Sequence, residues 1–436
     1  MRAVTGFVMT VLFSCTLTSC GQTSPESSNT QFYGHDNRRA ELEFDGEMEV
    51  SLPPSYIQPV SELLNSYLSD RVKELINLQV QHLMGAFTEH PKFKRTPGSI
   101  SGNPKITNIQ ATKGTKPGYA RITYHFKDVS AFHKNLLVGN RKTIEFDLPR
   151  NVEEIFKRGI PEGGDENTCT DDHYNTEGDF WYFWNPYKQG CPLTKEDLVS
   201  IKGTLTALPA TQDSYPDYNR LFEDGKVSIT YLVGIDESFR ESDLGHKSYK
   251  ESIRTLKAKG GKLTLDKERQ KRFVFSTEDG EVTIDMHLVD PNKTRFTTLA
   301  QQGMQESEVF IYDGHSGLGG HLDPDRFYDL TLPLNQYQIF YFNGCSTFTY
   351  YNERYFDLKS TDNDRAGSKN LDIITTTISA PFHIGSENDM SFISGLISSK
   401  RPSWQSIIDD IYETSGAEDS PLTNVNGDED NPRKPR

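Results

Sequence analysis

Long apolar runs, basic charge and cysteine are all in short supply in this chain of 436 residues. Hydrophobic residues make up 34% of it, and even with 33 glycines added this is far too little for a polytopic membrane protein. Against 62 Asp and Glu there are 47 Lys and Arg, a net charge of −15, so no basic face is expected to meet nucleic-acid phosphate. No heptad, collagen or short-repeat period is present, which excludes fibrous and solenoid architectures. The length suits two or three domains, each large enough to bury a core.

One apolar run stands out, Ala3 to Leu17 after Arg2. It is too short to span a bilayer as a mature helix but fits the core of a signal peptide. It ends in Leu17-Thr18-Ser19-Cys20-Gly21, which resembles the bacterial lipobox. That resemblance implies a signal peptide over 1–19, lipid on Cys20 and anchorage in the bacterial cell envelope. Gln22 in place of Asp then favours the outer membrane. An ordinary signal peptide with an incidental Cys20 is the alternative.

Export makes the five cysteines informative, because disulfides persist outside the cytoplasm. Cys15 leaves with the signal and Cys20 takes the lipid. Cys169 and Cys191 flank an aromatic stretch, Phe180-Trp181-Tyr182-Phe183-Trp184, and are expected to pair and close that loop. A metal site with His173 would have two Cys and one His, short of a structural zinc set. Cys345 is left as the odd thiol.

Residues 20–40 read as a polar tether and 416–436 as a disordered acidic tail, both lacking periodicity. From 41 to 220 strand-like alternation (Leu42 to Val50, 104–127, 142–149) mixes with helical spacing from Pro59 to Phe87, which predicts an α+β domain carrying the disulfide loop. Its aromatic cluster fits a packed core better than a carbohydrate or peptide site. From 221 to 415 strands and helices alternate. Buried runs such as Val309-Phe310-Ile311-Tyr312 and Ile339-Phe340-Tyr341-Phe342 predict a three-layer α/β domain with a mostly parallel sheet.

Those two runs end alike: Asp313-Gly314-His315 in one, Asn343-Gly344-Cys345 in the other. The segment between them allows a right-handed crossover, so the strands are expected to be parallel neighbours whose C-terminal ends bring His315 and Cys345 within reach. Open α/β sheets put their sites on that edge. A general base would then stand beside a thiol nucleophile, with Gly314, Gly317 and Gly344 letting backbone amides turn toward an oxyanion and the Cys345 amide as a donor. Each residue also has an inert reading, the Cys as core and the His as turn.

This arrangement resembles the caspase-like cysteine peptidases of clan CD, in which His follows one buried strand and the nucleophilic Cys the next. The resemblance spans about 225–415 and implies a three-layer fold, His315 as base, Cys345 as nucleophile, an oxyanion hole at Ser316 and Cys345, a protein or peptide substrate, and no cofactor. Gly344 fits the small residue before the Cys; Ser316 departs from the Gly that usually follows the His. Papain-like order is reversed, and the caspase Gln-Ala-Cys signature is absent. The family's activating cleavage lies in the region of Lys359 to Lys369, here a polar loop. Its bland reading is a solvated surface loop. Asp362 or Asp364 is a candidate partner for a basic substrate residue.

Two further readings use the same residues. Gly314-His315-Ser316-Gly317-Leu318 comes within one position of a nucleophile elbow, which would make Ser316 the nucleophile of an α/β-hydrolase with His383 as base. A non-catalytic surface lipoprotein on a caspase-like scaffold is the other. Asp313, His315, His321, Asp323 and Asp325 match no known metal-ligand spacing.

Overall fold

The computed structural model describes residues 34–209, 213–351 and 353–434. The expected signal peptide and Cys20 lie outside these residues.

The first sheet has six strands: β1 (Asn37–Ser51), β2 (Gly98–Ile100), β3 (Lys105–Lys113), β4 (Tyr119–His133), β5 (Arg141–Pro149) and β6 (Leu198–Ala207). Its order is β2-β4-β1-β6-β5, with β3 also paired to β4, and every pairing is antiparallel. β1 shows the period-2 logic of such a sheet. Ala40, Leu42, Phe44, Met48 and Val50 are buried while Glu43 and Asp45 face water. The helical spacing from Pro59 to Phe87 resolves into a 3-10 turn and two helices, α1 (Ser69–Gln81) and α2 (Leu83–Thr88). Val72, Ile76 and Val80 seal α1 against this sheet. A short α3 (Ile155–Arg158) precedes the loop closed by the Cys169–Cys191 disulfide.

After α4 (Tyr218–Leu221) comes the second sheet, of eight strands: β7 (Lys226–Gly234), β8 (Lys262–Lys267), β9 (Gln270–Ser276), β10 (Glu281–Val289), β11 (Val309–Asp313), β12 (Gln338–Asn343), β13 (Leu371–Thr376) and β14 (Thr423–Asn426). The order is β14-β13-β12-β11-β7-β10-β9-β8. The sheet is mixed: β13, β12, β11, β7 and β10 are parallel, and antiparallel strands flank them at both ends. The hairpin β8–β9 and the edge strand β14 went unforeseen. The helices are α5 (Leu244–Ala258), α6 (Thr294–Glu306), α7 (Thr347–Tyr351), α8 (Arg354–Asp357), α9 (Phe382–Leu396) and α10 (Trp404–Asp419).

Alternate side chains of the central strands enter different cores. Ile229, Tyr231, Ile311, Ile339 and Tyr341 join residues of α5, α9 and α10 in one cluster. Leu232, Phe310, Tyr312, Phe340 and Phe342 join α6, Tyr351 and Tyr355 in another. Helices therefore cover both faces, which is why these strands read as continuous apolar runs.

Two expectations fail at the ends of the described chain. The tether expected to reach residue 40 stops earlier, since β1 begins at Asn37 and runs fifteen residues. The tail expected to be disordered from 416 instead carries β14, antiparallel to β13. Its asparagines are buried and bonded: Asn424 Nδ2 donates to Thr377 Oγ1 at 2.6 Å and to the Leu422 carbonyl at 2.9 Å. Ser214 Oγ donates to the buried Asp428 at 2.8 Å. Polar composition matched solvent exposure only on the assumption that these groups lacked internal partners.

Candidate active site

β11 and β12 are parallel neighbours, with Asp313 in register with Asn343. Their ends come together closely. The Gly314 N–H donates to the Asn343 carbonyl at 3.1 Å. A Cβ on Gly344 would sit 2.6 Å from the Gly314 carbonyl, and Gly314 itself has φ +153°. Glycine at both positions is what lets the two ends close.

The residues before these glycines anchor the edge from below. Asn343 Nδ2 donates to Asp389 Oδ1 at 2.9 Å and to the Gly385 carbonyl at 3.2 Å, both on α9. Tyr231 donates to Asp389 Oδ2 at 2.7 Å, and Ser248 of α5 to Asp313 Oδ2 at 2.7 Å. Burial pushes the Asp313 and Asp389 carboxyls up together.

Above this layer His315 Nε2 lies 2.9 Å from Asp236 Oδ1, and its ring meets Phe382 edge-on at 4.7 Å. The His315 carbonyl accepts from the Tyr312 hydroxyl at 2.7 Å and from His321 Nδ1 at 2.6 Å, which fixes the backbone and the His321 tautomer. Asp236 follows β7, the neighbour of β11 on the side away from β12. The Asp243 carboxylate holds that loop by accepting the N–H groups of Asp236, Glu237 and Ser238 at 3.0, 2.8 and 2.9 Å while capping α5. Three adjacent strands thus end in Asp236, His315 and Cys345. Asp236 was missed in sequence because Asp236-Glu237-Ser238 reads as a turn; the signal was its place just past a third buried strand.

Cys345 is half-buried and is the free cysteine of the described residues. Ser346 follows it with φ +53°, outside the usual range of a non-glycine residue, and α7 starts one residue later. The Ser346 N–H donates to the Ile378 carbonyl at 3.0 Å. The thiol lies 4.0 Å from the Ala380 carbonyl, and burial pushes it up against hydrogen bonding to that carbonyl and with the Ser379 and Tyr182 side chains. His315 and Cys345 line one small cavity of about 10 Å³ with Asn343, Ala380 and Phe382. Among the described residues no hydrogen bond joins the imidazole to the thiol, and no carbonyl takes the amide N–H of Ser316 or Cys345.

The aromatic stretch of the disulfide loop lies against this thiol. Trp181 and Tyr182 pack with Met84, Leu318, Tyr350 and Cys345 in one apolar cluster. The Tyr182 and Ser346 hydroxyls are 2.9 Å apart. The stretch forms the packed core expected of it, with Phe180, Trp181, Tyr182 and Trp184 buried, and that core also lies against the candidate site.

Among the described residues no hydrogen bond joins the serine-hydrolase pair, Ser316 and His383. Ser316 is buried, and its carbonyl accepts from Tyr351 at 3.1 Å. His383 Nε2 pairs with Asp419 at 3.2 Å, and turns rather than a helix follow β11, so the elbow does not form. The loop from Lys359 to Lys369 is pinned: Lys359 is buried, with Nζ donating to the Pro333 and Gln336 carbonyls at 2.8 Å each. Burial lowers that amine to about 7. Asp364 accepts the N–H groups of Gly367 and Lys369 at 3.1 Å, so its carboxylate serves its own loop. Asp323 and Asp325 pair with Arg354 at 2.6 and 2.7 Å.

In comparisons with known proteins, no family model and no curated protein matches this chain.

Proposed function

We propose that the chain is a caspase-like cysteine endopeptidase, lipid-anchored through Cys20 in a bacterial envelope, with Cys345 as nucleophile and His315 as general base. The observation that carries this reading is the delivery of Asp236, His315 and Cys345 to one sheet edge by the adjacent strands β7, β11 and β12. Such an edge is where α/β sheets do chemistry. The parallel core with helices on both faces supports the caspase-like fold.

In this scheme Asp236 holds Nε2 of His315, leaving the other ring nitrogen for the thiol. The thiol, raised by burial, stays protonated at neutral pH until substrate arrives. Its proton then passes to the imidazole as sulfur attacks the scissile carbonyl carbon. The Ser316 and Cys345 amides, which no carbonyl of the described residues takes, receive the oxyanion. His315 returns the proton to the leaving amine, and water, deprotonated by the same imidazole, hydrolyses the thioester.

Cleavage of a mixed peptide library, followed by mass spectrometry, tests the reading. Cutting that vanishes in Cys345→Ala and His315→Ala supports it. No cutting by the native chain, or cutting that survives Cys345→Ala, sinks it and favours the scaffold reading. Release of Cys20→Ala protein from the membrane fraction tests the anchor.

A further inference from the structure

The dyad cavity holds about one water, whereas a peptide needs several hundred Å³. A cleft of about 680 Å³ lies next to it, between α1, α2 and the turn after β2 on one side and the segment following His315 on the other. The link between the two runs through packing around the thiol. Trp181, Leu318 and Tyr350 line the cleft and also pack in the cluster that contains Cys345. Leu318 has φ +51°, between Gly317 at +59° and Gly319 at +89°, so this lining stands on three successive left-handed residues. The Tyr350 hydroxyl is buried there without a hydrogen-bond partner among the described residues.

The charge of the cleft is uneven. Arg354 is engaged by Asp323 and Asp325. Glu353 accepts from a neutral donor, the Asn103 amide, and is in no ion pair among the described residues. Asp357 is exposed and in no ion pair, so two carboxylates at one end of the cleft lack a cationic partner among the described residues. Trp181, Met84 and Leu318 give the cleft an apolar lining as well, which suits the methylenes of a long cationic side chain.

Building on the peptidase reading, we infer that this cleft binds the substrate chain through a basic side chain set against Glu353 and Asp357. Trp181, Leu318 and Tyr350 form the gate through which the chain reaches Cys345.

The site is tested apart from catalysis in a Cys345→Ala chain, by fluorescence anisotropy of a labelled peptide with a central Arg and its Glu counterpart. The Arg peptide should bind at least about tenfold more tightly. Glu353→Gln/Asp357→Asn should abolish the preference, whereas neutralising the exposed pair Asp165→Asn/Glu166→Gln should leave it. Equal binding of the two peptides, no binding, or a preference that survives Glu353→Gln/Asp357→Asn overturns the proposal. Arg-peptide binding without Cys345-dependent cleavage would keep the site and sink the peptidase reading; cleavage without a charge preference would do the reverse. For the gate, a haloacetylated Arg peptide should label Cys345 faster in Trp181→Ala than in the native chain, and an unchanged rate would contradict it.

Discussion

The Tyr182 hydroxyl meets the Ser346 hydroxyl at 2.9 Å across 164 residues of sequence, tying the disulfide loop to the turn that presents Cys345. Ser346 holds a left-handed backbone there, so the turn depends on its neighbours to stay in place. Tyr182→Phe removes one buried hydrogen bond and strands the serine hydroxyl. A loss of about 1 kcal/mol in denaturant unfolding is expected. Unchanged stability would mean the contact is idle.

Opening the Cys169–Cys191 loop should act on both stability and the thiol. The bridge closes 22 residues, for which chain entropy gives about 3 kcal/mol. Cys169→Ala/Cys191→Ala should lower the unfolding midpoint and, by loosening the aromatic cluster, speed alkylation of Cys345. A destabilised variant with native labelling rate would show that the loop does not cover the thiol.

Gly344→Ala places a methyl 2.6 Å from the Gly314 carbonyl, a backbone atom that cannot swing aside. The β11 and β12 ends must then part. We expect about 2 kcal/mol or more of destabilisation and loss of peptide cleavage, whereas Gly178→Ala, whose nearest neighbouring atom is 3.9 Å away, should cost less and leave cleavage intact. Thermal unfolding and cleavage of the two variants decide this.

Asp128 carries a pH dependence. Burial raises its carboxyl to about 6, above the ordinary 3.8. A folded value above the unfolded one means that its contribution is fully present below about pH 4 and is lost as pH rises through 6. Hydrogen bonds from Ser101 Oγ at 2.6 Å and the Val129 N–H at 2.7 Å end on Oδ1, and Oδ2 is buried without a close partner among the described residues. Asp128→Asn keeps both bonds and removes the charge. It should stabilise the fold at pH 8 by on the order of 1–3 kcal/mol and make little difference at pH 4. An equal effect at both pH values would contradict the assignment.

The legible parts of this chain were those where burial leaves a period. The runs ending at Asp313 and Asn343 read as central strands because both faces are covered, and their matched Gly endings gave the register. The pairing of Cys169 with Cys191 followed from the cysteine count under the expectation of export. Asp236 was hidden in a turn whose role depends on β7 lying beside β11, a non-local fact. Asn424, Asn426 and Asp428 were read as solvated because composition cannot reveal that their partners come from Thr377, Arg39 and Ser214. The cover on Cys345 was invisible for the same reason, since Tyr182 and Ser346 meet only in the folded chain.

The measurement that bears most directly on the dyad is the rate of Cys345 alkylation by iodoacetamide from pH 5 to 9, read by mass spectrometry in the native chain and in His315→Ala. A base acting on the thiol predicts native labelling at least about tenfold faster at pH 7, with a midpoint below that of the variant. Superimposable profiles, both rising only above the free-thiol value of about 8.5, would show a thiol governed by burial alone and would contradict the dyad.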